Sequence, residues 1–312
     1  MKMLILYTLI IISCVVILLF FNTFYHKENY ENINIDIGNT LSDYYYKLVL
    51  SIIEKKDFDY SNNKHYYNSQ KIDNNNTFIK EFPQHIPFDI NIYNELINNN
   101  ITISTLHNSF DVGFWATYTK EQETIHKIMK PTINRIFNET FIKLNLKKEI
   151  NHPIIHFRCA DIPFNKHNMY YFQKYEYFNK ALQDIENKIG KINTITILSC
   201  TDHLSNEENK KSCNKYAELL KNNLIKYNPQ IKCNSNVDDF VFMFYAPAVI
   251  STISSFSFMS GFFGNGIYIQ PQLMNNNEEQ CLDCDNNYKG YNIQHNKVDD
   301  YHNVDEVYKL LI

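Results

Sequence analysis

An α/β chain in two halves, preceded by one membrane-spanning helix, is the architecture the sequence predicts. Three observations carry that expectation. From residue 151 onward, short apolar runs alternate with amphipathic stretches in the order β-α-β-α-β-α-β-α-β, the pattern of a doubly wound parallel sheet. Near residue 33 an alternating run, a Gly-Asn break and a helical pattern open a first α/β unit. Ahead of both, residues 3–21 are uncharged and almost wholly apolar, long enough to cross a bilayer as one helix.

The bounds agree with this plan. A chain of 312 residues allows two domains or one large one. With 44% hydrophobic and 15% aromatic residues, a sizeable core forms despite the many Asn and Lys residues. The excess of Asn, Lys, Ile and Tyr matches an AT-rich coding bias and carries no functional signal. Net charge is −4 with no basic block, which argues against a nucleic-acid partner, since that needs a concentrated positive face.

Residues 1–26 read as a signal anchor and the start of a stem. The bulky run Leu19, Phe20, Phe21 ahead of Phe24 and Tyr25 lacks the small-x-small site of a cleaved signal peptide. The amino terminus is then cytosolic and the rest luminal, a single-pass type II protein of the Golgi, the endoplasmic reticulum or an equivalent host membrane. Cys14 falls inside the apolar segment. The other six cysteines, Cys159, Cys200, Cys213, Cys233, Cys281 and Cys284, are an even number, which permits disulfides in a luminal domain. Cys281 and Cys284 are placed for a local bridge. A lone C-x-x-C has no second pair at zinc-ligand spacing, so no metal is expected. Asn75, Asn100 and Asn138 sit in N-x-[ST] sequons.

Residues 27–150 are expected to form an amino-terminal α/β domain on the acceptor side. A strand at 33–37 is broken by Gly38-Asn39-Thr40, and a helix follows over 41–55, capped by Thr40 or Ser42. An ordinary βα turn is the simpler reading of that break. A polar loop at 57–76, a short helix at 90–97, a strand at 101–106 and an aromatic loop at 107–117 come next. A long helix over 120–146 is kinked or divided at Pro131.

Residues 151–312 are expected to form a carboxy-terminal Rossmann-like domain. Strands are predicted at 153–157, 194–199, 231–233, 248–253 and 266–270, the last stopped by Pro271. Helices are predicted at 171–189, 206–227, 237–245 and 254–263. A loop over 275–301 carries the C-x-x-C, and a helix over 304–312 closes the chain.

Ligands of such sheets sit beyond the carboxyl ends of the strands. Arg158 follows the first of them, in His156-Phe157-Arg158-Cys159-Ala160-Asp161. It is one of two arginines, with Arg135. A guanidinium fork grips a phosphate or carboxylate in a way Lys does not reproduce. A structural pair with Asp161 is the alternative. Cys200-Thr201-Asp202 follows the second strand. Ser254-Ser255-Phe256-Ser257 follows the fourth and opens a helix, where hydroxyls and free amides suit a phosphate. Neither G-x-G-x-x-G nor a Walker loop is present. What remains is a diphosphate held by one Arg, hydroxyls and a helix terminus, as in a nucleotide-sugar.

These residues resemble a known family. His156-Phe157-Arg158-Cys159-Ala160-Asp161 is similar to the H-x-R-x-x-D element of the GDP-fucose-using fucosyltransferases, a superfamily of α-1,2-, α-1,6- and protein O-fucosyltransferase groups. Asp239-Phe240-Val241-Phe242-Met243, then Ala248 through Ser257 and Phe258, resembles their last motif, closest in the α-1,2 group. Gly38-Asn39 resembles their amino-terminal Gly-Asn loop. The matches lie in order over residues 33–271. The resemblance implies the GT-B fold of two facing Rossmann-like domains, and inverting transfer of a sugar, with fucose expected, from GDP-fucose to a glycan or glycoprotein hydroxyl. It implies no metal and no cofactor besides the GDP-sugar donor. Arg158 would bind the β-phosphate and stabilise the departing GDP, and His156 would contact the nucleotide or shape the site. Asp239 would accept from the guanine, Ser254, Ser255 and Phe256 would support the phosphates, and Asn39 would sit in the cleft.

The chain departs from the family at several points. Cys159 stands where a second Arg is frequent, Phe258 and Met259 stand where tryptophans are frequent, and the first half is mostly unmatched. The general base is open among Asp43, Asp111, Asp161 and His107, and the acceptor and linkage are open too. The competing functions are a non-catalytic luminal protein that binds a glycan or nucleotide-sugar, and an anchored structural protein without a site.

Overall fold

The computed structural model describes residues 37–61, 77–110, 120–159, 173–201, 206–252, 254–273 and 288–293. The anchor at 1–26, Asp161, Cys281, Cys284 and the closing helix at 304–312 lie outside these residues. Among the described residues no helix is long and apolar enough to cross a membrane.

The second half builds one mixed α/β unit around a parallel sheet. Its strands are β3 (Ile154–His156), β4 (Ile195–Leu198), β5 (Pro229–Lys232), β6 (Ala248–Ser251), β7 (Ile267–Leu273) and β8 (Tyr288–Ile293). They lie in the order β5-β4-β3-β6-β7-β8, every neighbouring pair parallel. Counted from β3, this is the order 3-2-1-4-5-6 of the Rossmann fold, with the topological switch point between β3 and β6.

Alternation along the strands divides the core in two. Ile155, Ile197, Ile250 and Ile269 pack on one face with Phe178, Leu182, Tyr216 and Leu220 of α6 (Tyr175–Ile189) and α7 (Glu207–Asn223). Ile154, Leu198, Val249 and Tyr268 face the other way, against Phe240 and Phe244 of α8 (Asn236–Tyr245). A sheet covered on both faces explains the continuous apolar runs of its central strands.

That second face is also where the first half packs. Its helices are α1 (Ile37–Ile53), α2 (Thr77–Lys80), α3 (Ile90–Asn98), α4 (Ile103–Phe110) and α5 (Lys120–Lys143). Tyr45 and Leu48 of α1, with Ile133 and Phe137 of α5, belong to the same buried cluster as Phe240 and Val249. The only strands described here are β1 (Phe58–Asp59) and β2 (His85–Ile86), a short antiparallel ladder. A second Rossmann-like sheet within 27–150 is therefore not found among the described residues.

Several local expectations are corrected. Ile37 is helical, so Gly38-Asn39-Thr40 forms the first turn of α1 instead of a break. Burial of almost the whole helix overrides the low helix propensity of Gly38. Ser42 does not cap this helix; its Oγ donates back to Gly38 O at 2.7 Å. The strand expected at 101–106 is the start of α4, which follows Thr102, whose Oγ1 accepts from Thr105 N. Of the two expected effects of Pro131, division does not occur: α5 is one helix, with Ile125 and Met129 buried before the proline and Ile133, Phe137 and Phe141 after it. β7 continues past Pro271 because its pairing with β6 ends at Ile269, leaving an edge on that side where Pro is tolerated. β8 lies inside the stretch expected to be a loop.

Candidate functional site

The ends of β3 and β6 are tied together at the switch point. Arg158 N donates to Thr252 Oγ1 at 3.0 Å, and Thr252 Oγ1 donates to His156 O at 3.1 Å. Thr252 N donates to the same carbonyl at 3.2 Å. This double link fixes the backbone from which the half-buried Arg158 leaves the sheet. β6 ends at Ser251, so Thr252, inside the run predicted as strand, is free to serve this link.

His156 ends β3 on the face shared with α8 and α1. Burial, and secondarily the nearby Arg158 charge, push its pKa down to about 3, so the ring is neutral at ordinary pH. Its Nδ1 is shielded from solvent and has no protein hydrogen-bond partner. Buried polar atoms are seldom left so. Ser199 Oγ, just beyond β4, and Thr40 Oγ1, next to Asn39, are in the same condition. The His156 ring lies 5.6 Å from that of Phe256.

The turn after β6 is built by hydroxyls. Ser254 is extended, and its Oγ accepts from Phe256 N at 3.2 Å, capping the single turn α9 (Ser255–Ser257). The chain continues as one π-helical turn, Phe258–Phe262. Phe256 N is thus already occupied and is not one of the free amides expected for a phosphate. Ser257 Oγ is 2.6 Å from Ser251 Oγ in a fully buried pair, a support beneath the turn.

Ser255 reaches the first half of the chain. Its Oγ donates to Asn39 Oδ1 at 3.0 Å across 216 residues of sequence. Gly38 makes the approach possible: a Cβ there would lie 2.5 Å from Phe256 N and 2.7 Å from Ser255 Oγ. Two separate sequence motifs, Gly38-Asn39 and Ser254-Ser255-Phe256, are therefore one structural contact.

Asp239 occupies the first turn of α8, next to the ends of β4 and β5. Asn234 Nδ2 donates to its Oδ1 at 2.6 Å, and Asn234 N to its Oδ2 at 3.4 Å. Burial raises its pKa to about 6, against the opposing pull of the Asn234 bonds. The Cys200–Cys233 disulfide, Cα–Cα 4.9 Å, joins the two strand ends beside it. Phe240 lies 5.5 Å, ring to ring, from Phe256. Asp239, Phe240, Phe256, His156 and Arg158 thus follow one another along a single end of the sheet.

The departure at Cys159 has a structural reason, since Cys159 is bonded to Cys213 of α7 with Cα–Cα 5.6 Å. Spacing alone did not identify either disulfide. Of the candidate bases, Asp43 is fully buried in the first half, held by Lys47 at 2.9 Å and Tyr60 Oη at 3.0 Å. His107 Nδ1 lies 2.7 Å from Tyr46 Oη. Asp111 and Asp161 lie outside the described residues. Among the described residues no group of three or more His, Cys, Asp or Glu is placed to hold a metal ion.

No family model, curated protein or solved structure matches this chain. The chemistry of the site is therefore argued from its own residues. The switch point offers one guanidinium, a neutral imidazole with an unused nitrogen and hydroxyls, and a buried acid lies farther along the same sheet end, beside β4 and β5. That set suits a ligand with an anionic centre and a hydrogen-bonding ring.

Proposed function

We propose that this protein is a membrane-anchored glycosyltransferase that binds a GDP-sugar at the β3–β6 switch point. The sugar proposed is fucose, transferred to a glycan or glycoprotein hydroxyl. The observation that carries the reading is the junction of Arg158, Thr252, Ser254–Phe256 and Asn39 at the place where a Rossmann-ordered sheet takes its ligand. Arg158 would hold the β-phosphate, and His156 Nδ1 and the Ser255 hydroxyl would line the diphosphate. Asp239 would accept from the guanine ring. The GT-B arrangement and the amino-terminal anchor belong to the same proposal.

In the reaction, the acceptor oxygen forms a bond to the anomeric carbon from the face opposite GDP. The bond to the β-phosphate oxygen breaks, and GDP leaves with the electron pair. Charge develops on the leaving diphosphate, so a fixed guanidinium there contributes most. The acceptor's proton passes to a base or to water.

The test is thermal stabilisation of the full chain by GDP-, UDP- and CMP-sugars, followed by a transfer assay with an acceptor panel. Selective stabilisation by GDP compounds is expected. Arg158→Ala should fold normally, bind GDP-sugar roughly 10- to 100-fold more weakly, in line with a lost charged hydrogen bond, and transfer nothing. Full transfer by that variant refutes the site. Binding without turnover identifies a nucleotide-sugar-binding protein instead.

A further inference from the structure

Two of the three sequons fall on described residues, and their settings are opposite. Asn100 is exposed on the short connection between α3 and α4, with φ 61°, a left-handed conformation that Asn tolerates better than most residues. Thr102, the third residue of that sequon, is also exposed. Asn138 lies inside α5. Its Oδ1 accepts from Tyr245 Oη at 2.8 Å, which pins α5 to the end of α8. Its neighbour Phe137 and the sequon's Thr140 are buried, and the Thr140 hydroxyl donates to Ile136 O at 2.8 Å.

Asn138 is thus half-buried within a helix and held against α8, and the hydroxyl its sequon needs is already bonded to Ile136 O. Asn100 and Thr102, by contrast, are both exposed on a turn among the described residues. The Cys159–Cys213 and Cys200–Cys233 bonds supply an independent observation, since structural disulfides form in the same oxidising compartments in which N-linked glycans are attached.

We propose that Asn100 is an N-glycosylation site of this protein and that Asn138 is a sequon left unmodified. The donor is an oligosaccharide on a lipid diphosphate, supplied by the host membrane. Asn100 Nδ2 forms the bond to the sugar's anomeric carbon, the carbon–oxygen bond to the diphosphate breaks, and the lipid diphosphate leaves with that electron pair. The amide gives up one proton. The proposal needs only luminal placement of the chain and stands whether or not the protein transfers a sugar itself.

The experiment translates the full chain in the presence of endoplasmic-reticulum microsomes. Protease protection reports translocation. Amidase removal of glycans in heavy-oxygen water, read by site-resolved mass spectrometry, reports occupancy. The protected chain should carry the label at position 100 and none at 138. Asn100→Gln should lose one mobility step, and Asn138→Gln should change nothing in the gel pattern. An unlabelled Asn100, in protected or unprotected chain, overturns the proposal, as does a labelled Asn138.

Discussion

Gly38→Ala sets two physical effects against each other. Helix propensity favours the substitution, since Ala in place of Gly in a helix gains about 1 kcal/mol. Packing opposes it. The new Cβ would lie 2.5 Å from Phe256 N, 2.7 Å from Ser255 Oγ and 2.8 Å from Phe256 Cα. Ordinary contact needs about 3.5–4 Å, so the two segments must separate by roughly 1 Å. Two of the three atoms are backbone, in a turn locked from below by the Ser251–Ser257 pair, so rotating the Ser255 hydroxyl alone cannot relieve the clash. Overpacking of this kind costs about 1–3 kcal/mol. Separation also breaks the Asn39–Ser255 hydrogen bond, a further ~1 kcal/mol. The sum opposes a gain of ~1 kcal/mol, leaving a net loss of about 1–3 kcal/mol. Urea denaturation at fixed pH measures it, with Asn39→Ala as comparator. That variant loses the hydrogen bond without the clash and should cost about 1 kcal/mol. GDP affinity should fall in both variants, further in Gly38→Ala. A Gly38→Ala chain as stable as the parent refutes the contact between α1 and the Ser254–Phe256 turn.

Other perturbations test other parts of the molecule. Asp239, with its pKa raised to about 6, contributes stability fully present below about pH 4 and lost as pH rises through 6. Asp239→Asn removes the buried charge but can accept only one of the two Asn234 bonds, so its stability should lose this pH dependence in pH-resolved denaturation, with loss of GDP affinity. His126, buried beside Tyr45 with its pKa lowered to about 3, acts with the opposite sign. Its stability is present above pH 6.5 and is lost on acidification, on the order of 2 kcal/mol by pH 5, so His126→Asn should flatten the acid limb of a Tm-versus-pH curve. Cys159→Ser opens a loop spanning 54 residues, for which chain entropy gives a loss of about 4 kcal/mol. Urea midpoints with and without reductant measure it, and an unchanged midpoint excludes that bridge in solution.

The sequence made the centre of the sheet legible, and the short edge β5 as well, but not the far edge β8. β3, β4 and β6 are covered on both faces, so their residues are apolar without interruption, and Ile154, Ile155, Ile195 and Ile197 announce them. β8 is an edge strand of Tyr, Lys, Gly, Tyr, Asn and Ile, held by backbone pairing to β7. Nothing in that order of residue types distinguishes it from a loop. The disulfides were illegible because six cysteines admit 15 pairings, and only the fold brings Cys159 to α7 and Cys200 to the end of β5.

The site shows how a local reading can locate residues without explaining them. Arg158 and Ser254 were legible as strand-end residues, but their adjacency depends on β3 lying beside β6, a fact of sheet order. Gly38 is the sharper case. Read along the chain, a glycine followed by Asn and Thr means a break, and a break was expected there. In the fold, the missing Cβ of Gly38 serves a contact with Phe256 and Ser255, and the helix runs straight through it. The same contact bears on the division into halves. A first domain free to move against the second would have to part Asn39 from Ser255 and divide the cluster that joins Tyr45 and Phe137 to Phe240 and Val249. A hydrogen bond of ~1 kcal/mol parts readily, but a shared aromatic core does not. Parting α1 from the sheet would therefore divide that shared core, which keeps α1 packed beside the Ser254–Phe256 turn.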